Sequence, residues 1–253
     1  MPNSPIRITD LTKTFGETEV IGATSLTVAD GQFVSLLGPS GSGKSTVLNI
    51  IAGLEQPTSG SVEALGGPVT GPDPERGVVF QNHALLPWLT ARGNIEFGLR
   101  AARPHYSKEQ RRERAETYLA KVNLGHAADR KPGQLSGGMQ QRVGLARSFA
   151  IDPQILLLDE PFGALDALTR RQLQEVLLEA WEANRRTVVM VTHDVDEAIL
   201  LSDRILVMSP GPHATIIEDV TVELPRPRFG LDDATSQAYA ADLRRHLLGL
   251  LQQ

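Results

Sequence analysis

Phe33-Val34-Ser35-Leu36-Leu37-Gly38-Pro39-Ser40-Gly41-Ser42-Gly43-Lys44-Ser45 is the stretch that decides the fold. Its first five residues are almost continuously apolar, as in a strand buried on both faces. A glycine-rich loop follows. Beyond it Val47, Leu48, Ile50, Ile51 and Leu54 recur at helical spacing, with Gly53 and Pro57 near the end. Residues 38–45 satisfy G-x-x-x-x-G-K-S in full. The glycines permit a tight turn that aims successive N–H groups at phosphate oxygens. The helix that follows adds its positive end. In this pattern Lys44 reaches the β- and γ-phosphates and the Ser45 hydroxyl ligates Mg²⁺. The candidate nucleotide-binding set is therefore Gly38, Pro39, Ser40, Gly41, Ser42, Gly43, Lys44, Ser45 and Thr46.

Further along, Ile155-Leu156-Leu157-Leu158-Asp159-Glu160 reads as a buried strand ending in two acids. Ligands bind at such strand ends in open parallel sheets. Asp159 there suits Mg²⁺, and Glu160, pointing differently, suits orienting or deprotonating an attacking water. By itself this run is equally a strand followed by a polar loop. Beside a phosphate loop it points to Mg-ATP or Mg-GTP hydrolysis.

Around these two sites the chain alternates. Strand patterns cover Ile6 to Leu11, Leu26 to Val28, Thr187 to Thr192 and Arg204 to Met208. A helix spans about Leu168 to Ala183. The middle, roughly 85–150, is rich in Arg, Glu, Gln and Ala and reads as helices, with candidates at Lys108 to Val122 and Gly137 to Ala150. Strands alternating with helices predict an α/β fold with a mostly parallel sheet, to which an antiparallel start and a helical insert are additions. Pro225, Pro227 and Gly230 mark a linker. Tyr239, Leu243 and Leu247 then predict a short amphipathic helix, which either packs on the core or regulates it.

Composition narrows the classes. The chain has 253 residues and no cysteine, so disulfides, thiolate metal sites and a cysteine nucleophile are excluded. Its 25 Lys+Arg against 30 Asp+Glu give a net charge of −5, which argues against a general nucleic-acid binder. No window approaches the roughly 18 apolar residues of a membrane span. The first ten residues lack a basic-then-apolar leader. The chain is expected to be soluble by itself, with any membrane association supplied by a partner.

Leu135-Ser136-Gly137-Gly138-Met139-Gln140-Gln141-Arg142 resembles the signature motif of ABC-type ATPases, usually LSGGQ, with Met139 in place of the glutamine. The resemblance covers nearly the whole chain. Gln81 looks like the Q-loop glutamine, Gly163-Ala164-Leu165-Asp166 like the D-loop and His193 like the switch histidine. Phe15 occupies the place of the aromatic that stacks on adenine. Phe15 by itself could simply be core, and a lone histidine such as His193 after a strand is usually structural or merely exposed.

The resemblance implies a P-loop NTPase core over 1–225, with an N-terminal antiparallel β subdomain, a helical subdomain inserted at about 85–150, and 226–253 as linker and short helix. It implies ATP and Mg²⁺ as cofactors, with Ser45, Gln81 and Asp159 on the metal, Glu160 on water, and His193 and Lys44 on the γ-phosphate. Two chains would pair head to tail, each closing its Ser136, Gly137 and Gly138 over the other's ATP. The signature also makes physical sense as a capped helix N-terminus that binds an anion, with Ser136 as cap.

The stretches Gln81 to Thr90, Asp159 to Arg170, Val191 to Ala198 and Leu224 to Arg228 are similar to the ATP-binding subunits of nitrate, sulfonate and taurine importers. That branch implies transmembrane permease subunits docked near Gln81 to Trp88, indirectly a solute-binding protein, and a place on the cytoplasmic face of the membrane. Leu85, Leu86 and Trp88 would then be core or partner groove. A homodimer without nucleic acid is expected. A soluble ABC ATPase with a role such as iron–sulfur cluster assembly is the alternative. A small-molecule kinase or GTPase is disfavoured by the absence of N-K-x-D and by a signature it could not use.

Overall fold

The structure is a computed structural model that describes residues 5–80, 84–163, 165–230 and 233–252. In chain order the elements are β1 (Ile6–Phe15), β2 (Thr18–Val28), β3 (Phe33–Leu37), α1 (Lys44–Ala52), β4 (Ser59–Ala64), β5 (Gly67–Pro68), β6 (Arg76–Val79), α2 (Ala91–Ala102), α3 (Lys108–Lys121), α4 (Gly137–Ile151), β7 (Ile155–Asp159), α5 (Ala167–Asn184), β8 (Thr187–Thr192), α6 (Val195–Leu201), β9 (Arg204–Met208), β10 (Ile216–Thr221) and α7 (Ala234–Leu251). They fall into two compact units, Met1–Pro72 with Arg185–Gln253, and Asp73–Asn184.

The first unit carries two sheets. One is antiparallel, in the order β2-β1-β4-β5. In the other, β3 lies between β8 and β9, parallel to both, and β10 pairs antiparallel with β9. Every residue of β3 and β8 is buried, as a strand packed on both faces requires. The register sets Leu37 beside Thr192 and Val207, so three strands end at one edge. Helix α7 lays Leu243 and Leu247 into a cluster with Leu37, Val195, Ile199, Val207 and Val222. Arg228, 5% exposed, donates Nη1 to the carbonyls of Ile199 (2.8 Å) and Ser202 (2.5 Å), so it ties down the last turn of α6.

The second unit pairs β6 parallel to β7, Val79 beside Leu158, and packs α2 and α3 on α4. Ile95, Leu99, Leu119, Val143 and Ala146 are fully buried there. Ser107 and Gln110 form a reciprocal capping box at the start of α3. The C-terminal end of α4 is fastened by two arginines. Arg114 Nε donates to the Ala150 carbonyl (2.5 Å), and Arg103 Nη2 donates to that of Asp152 (2.8 Å) while its Nη1 meets Glu75 (2.7 Å).

The α/β class, the parallel strands and the separate antiparallel N-terminal sheet are as the sequence predicts. Strand β2 is longer than Leu26 to Val28, because polar Thr24 and Ser25 dilute an alternation that runs on past them. Helix α7 also starts five residues before Tyr239, capped by Asp233, whose carboxylate accepts from Ser236 N.

Candidate functional site

In the first unit the loop between β3 and α1 is built around Lys44. This side chain is 5% exposed. Its Nζ donates to the Gly38 carbonyl (2.8 Å), the Pro39 carbonyl (2.7 Å) and Ser42 Oγ (3.1 Å). Ser42 is itself fully buried, and its N–H reaches back to the Pro39 carbonyl (3.3 Å). Gly43 has φ +77°, and a Cβ there would stand 2.9 Å from Ile21 Cγ1. Glycine is thus required at 43 both for the left-handed backbone and for space.

Gly43 is also the N-cap of α1, and no side chain caps that helix. Helices α2, α3, α4, α6 and α7 are each capped by a side-chain oxygen, from Thr90, Ser107, Ser136, Asp194 and Asp233. At the start of α1 no side-chain cap therefore competes with an anionic oxygen.

His193 follows Thr192 at the same edge of this unit's parallel strands, and its side chain is exposed. The residues on either side hold its backbone. Thr192 Oγ1 accepts from Asp194 N (3.0 Å), and the Asp194 carboxylate accepts from Asp196 N (2.9 Å) and Glu197 N (3.1 Å). Phe15, at the β1–β2 hairpin, is 47% exposed and so is not core. Lys13 Nζ stands over its ring, 4.7 Å from the centroid, and the exposed ring is of the kind a flat group can stack on.

In the second unit β7 delivers Asp159, 8% exposed, at its last position. Glu160 comes next with φ +44°, a left-handed backbone uncommon for a non-glycine residue. Its carbonyl accepts from Gly163 N (3.3 Å), forming a tight turn. A Cβ on Gly163 would lie 3.9 Å from Glu160 Oε2, so the carboxylate folds over that glycine. Asp166 Oδ1 accepts from Thr169 N (3.0 Å). That hydrogen bond holds the Asp166 carboxyl below the ordinary aspartate value.

Ser136 caps α4, accepting from Met139 N (3.3 Å), with Gly137 and Gly138 as the first helical residues. The buried Gln141 lies on the same helix. It donates Nε2 to the Pro161 carbonyl (2.8 Å), a link that the sequence reads only as helix interior. Leu85 and Leu86 are half-buried and Trp88 is 66% exposed, so Trp88 is not core. Gln81 and Ala164 lie outside the described residues.

The residues fit a triphosphate with Mg²⁺. The uncapped helix start, the positive-φ glycines and the buried ammonium are anion-binding chemistry. Each unit also carries an oxygen donor of a suitable kind, the Ser45 hydroxyl, half-buried in the first turn of α1, in the first and the Asp159 carboxylate in the second. That suits Mg²⁺, which takes one or two protein ligands together with phosphates and water.

Comparison with known proteins agrees with this chemistry. The profile of the ABC transporter family matches residues 21–163. A nitrate transport protein of Klebsiella oxytoca is 48% identical over 94% of this chain and 91% of its own length. A bicarbonate transport ATP-binding protein of Synechococcus elongatus is 52% identical over 90% of this chain, but the chain spans only 34% of that relative. Among solved structures, a dimeric bacterial ABC transporter cassette (MJ0796) superposes with a TM-score of 0.80 at 38% identity, covering 87% of this chain and all of that one. A post-hydrolysis state of the same cassette, bound to ADP and Pi, gives 0.78 at 36%.

Proposed function

The chain belongs to the ABC transporter family, and we propose that it is the ATP-hydrolysing subunit of a membrane importer for a small anion of the nitrate or sulfonate kind. One observation carries the hydrolysis. The β3–α1 loop presents a buried lysine and an uncapped helix start at the edge of a parallel sheet, with glycine where a side chain would clash. The transport reading draws on relatives whose names assign them to nitrate and bicarbonate transport.

Each residue has a role in this reading. Phe15 stacks on the adenine base. Lys44 and backbone N–H groups between Ser40 and Thr46 bind the phosphates. Ser45, Gln81 and Asp159 serve the metal. When bound, Mg²⁺ neutralises charge on the β- and γ-phosphate oxygens. Glu160 accepts a proton from water as that water's oxygen bonds to the γ-phosphorus and the bond to the β-phosphate oxygen breaks. His193 donates to a γ-phosphate oxygen.

A second copy of the chain completes each site with its Ser136, Gly137 and Gly138, and Asp166 lies in the loop that joins the two copies. Permease subunits dock near Gln81 to Trp88. Among the described residues no helix is long and apolar enough to cross a membrane. Attachment to the cytoplasmic face then runs through the permease.

The test is purification of the tagged chain with its native membranes, followed by reconstitution into vesicles. ATP-dependent uptake of labelled nitrate or an alkanesulfonate is expected. A chain that hydrolyses ATP yet never sediments with a permease polypeptide sinks the importer reading.

A further inference from the structure

Glu160 is held in an unusual way. A left-handed backbone costs a non-glycine residue of order 1–3 kcal/mol and persists only where its surroundings impose it. Two hydrogen bonds and one buried side chain do so. Gly163 N closes the turn on the Glu160 carbonyl, Phe162 is 1% exposed, and Gln141 Nε2 grips the Pro161 carbonyl at 2.8 Å. Gln141 is 2% exposed, so this hydrogen bond is shielded from water and leaving the carbonyl without it carries a desolvation cost. An apolar side chain of equal volume would fill the space as well. Only a donor reaches the carbonyl.

Gln141 stands five residues after Ser136 on one continuous helix, α4. Ser136 and Gly137 therefore cannot shift without carrying Gln141, and Gln141 is bonded to the residue directly after Glu160. We propose that Gln141 is a positioning residue through which the Ser136–Gly138 end of α4 sets the orientation of Glu160. The inference rests on the functional reading above. In that reading Ser136–Gly138 close over the nucleotide held by the partner chain, while Glu160 serves the nucleotide held by its own. Gln141 then joins two different ATP sites, so occupancy of one prepares the carboxylate of the other.

The experiment compares the wild-type chain with Gln141→Met, which keeps the volume and loses the donor, in ATP titrations of steady-state hydrolysis. Nucleotide binding and thermal unfolding are measured in parallel. Expected are a roughly ten- to hundred-fold fall in kcat, nucleotide affinity within about two-fold of wild type, and a Hill coefficient moved toward one. Gln141→Glu, of the same size but with an acceptor in place of the donor, should reproduce the loss and carries the same test if the Met variant does not fold. In a Glu160→Gln background the Gln141→Met change should alter the residual rate by less than about two-fold, since both act through one carboxylate.

A merely structural glutamine would lower the unfolding temperature and the active fraction yet leave the Hill coefficient alone. That result overturns the proposal. So does a wild type without cooperativity, or an effect that multiplies with that of Glu160→Gln. A wild type that does not hydrolyse ATP at all overturns the functional reading instead.

Discussion

Leu37 and Thr192 face one another across adjacent parallel strands, so the residues that follow them, Gly38 and His193, leave the first unit's sheet at the same edge. The phosphate loop and the exposed histidine are thus brought to one edge by strand register. Because the His193 side chain is exposed, replacing it separates chemistry from folding. His193→Ala should leave the unfolding free energy within about 0.5 kcal/mol of wild type and lower hydrolysis at saturating ATP about a hundred-fold. A large loss of stability would mean that the imidazole is structural.

Lys44→Met tests the loop. The variant keeps the stem and removes the ammonium that three loop oxygens hold. Binding of ATP, followed by isothermal calorimetry, should weaken at least about a hundred-fold, as expected when a desolvated charge contact to phosphate is lost. Retained affinity with lost turnover would move Lys44 from binding to the chemical step alone.

Glu160→Gln keeps the side-chain shape over Gly163 and removes the base. Turnover should fall by a factor of about 10² to 10⁴. With ATP and Mg²⁺ present, light scattering after size exclusion should show a persistent dimer. A monomer under those conditions contradicts the shared-site arrangement, whereas normal turnover removes Glu160 from its role.

Leu247→Ala probes the docking of α7. Leu247 is fully buried against α6 and the β-strand cluster, and its truncation should cost about 2–5 kcal/mol in denaturant unfolding. Arg244→Ala breaks only an exposed pair with Asp196 and should change stability by less than about 1 kcal/mol. Equal effects from the two would mean that α7 is not held by its apolar face.

How far the fold can be read from the sequence depends on what each element buries. Strands β3 and β8 are legible because every position is buried and apolar or small. Strand β10, Ile216–Thr221, is not, because as an edge strand it carries Glu218 and Asp219 and no residue in it is fully buried. Strand β4 begins Ser-Gly-Ser and reads as a turn until β1 supplies its partner.

The candidate site divides in the same way. Gly38 to Ser45 announces itself because phosphate binding constrains residue type at fixed spacing. Gln141 does not, since its partner lies twenty residues away and only tertiary structure brings the Pro161 carbonyl within reach. The backbone of Glu160 is equally hidden, because a positive φ on glutamate follows no local preference.

The two arginines on the carbonyls of Ala150 and Asp152 have a mechanical meaning. In a rigid rod, a rotation about one end is largest at the other. Helix α4 has fifteen residues, about 22 Å of length. A tilt of about 5° about its anchored end therefore sweeps the serine tip through about 2 Å. Gln141 lies ten residues from Ile151, about 15 Å, so the same tilt would shift it by about 1.3 Å, enough to lengthen its 2.8 Å hydrogen bond to the Pro161 carbonyl beyond bonding range. Arg103 and Arg114 thus fix the far end of the helix whose near end carries Ser136 and Gln141, and loosening them would disturb that end without touching a single group that meets nucleotide.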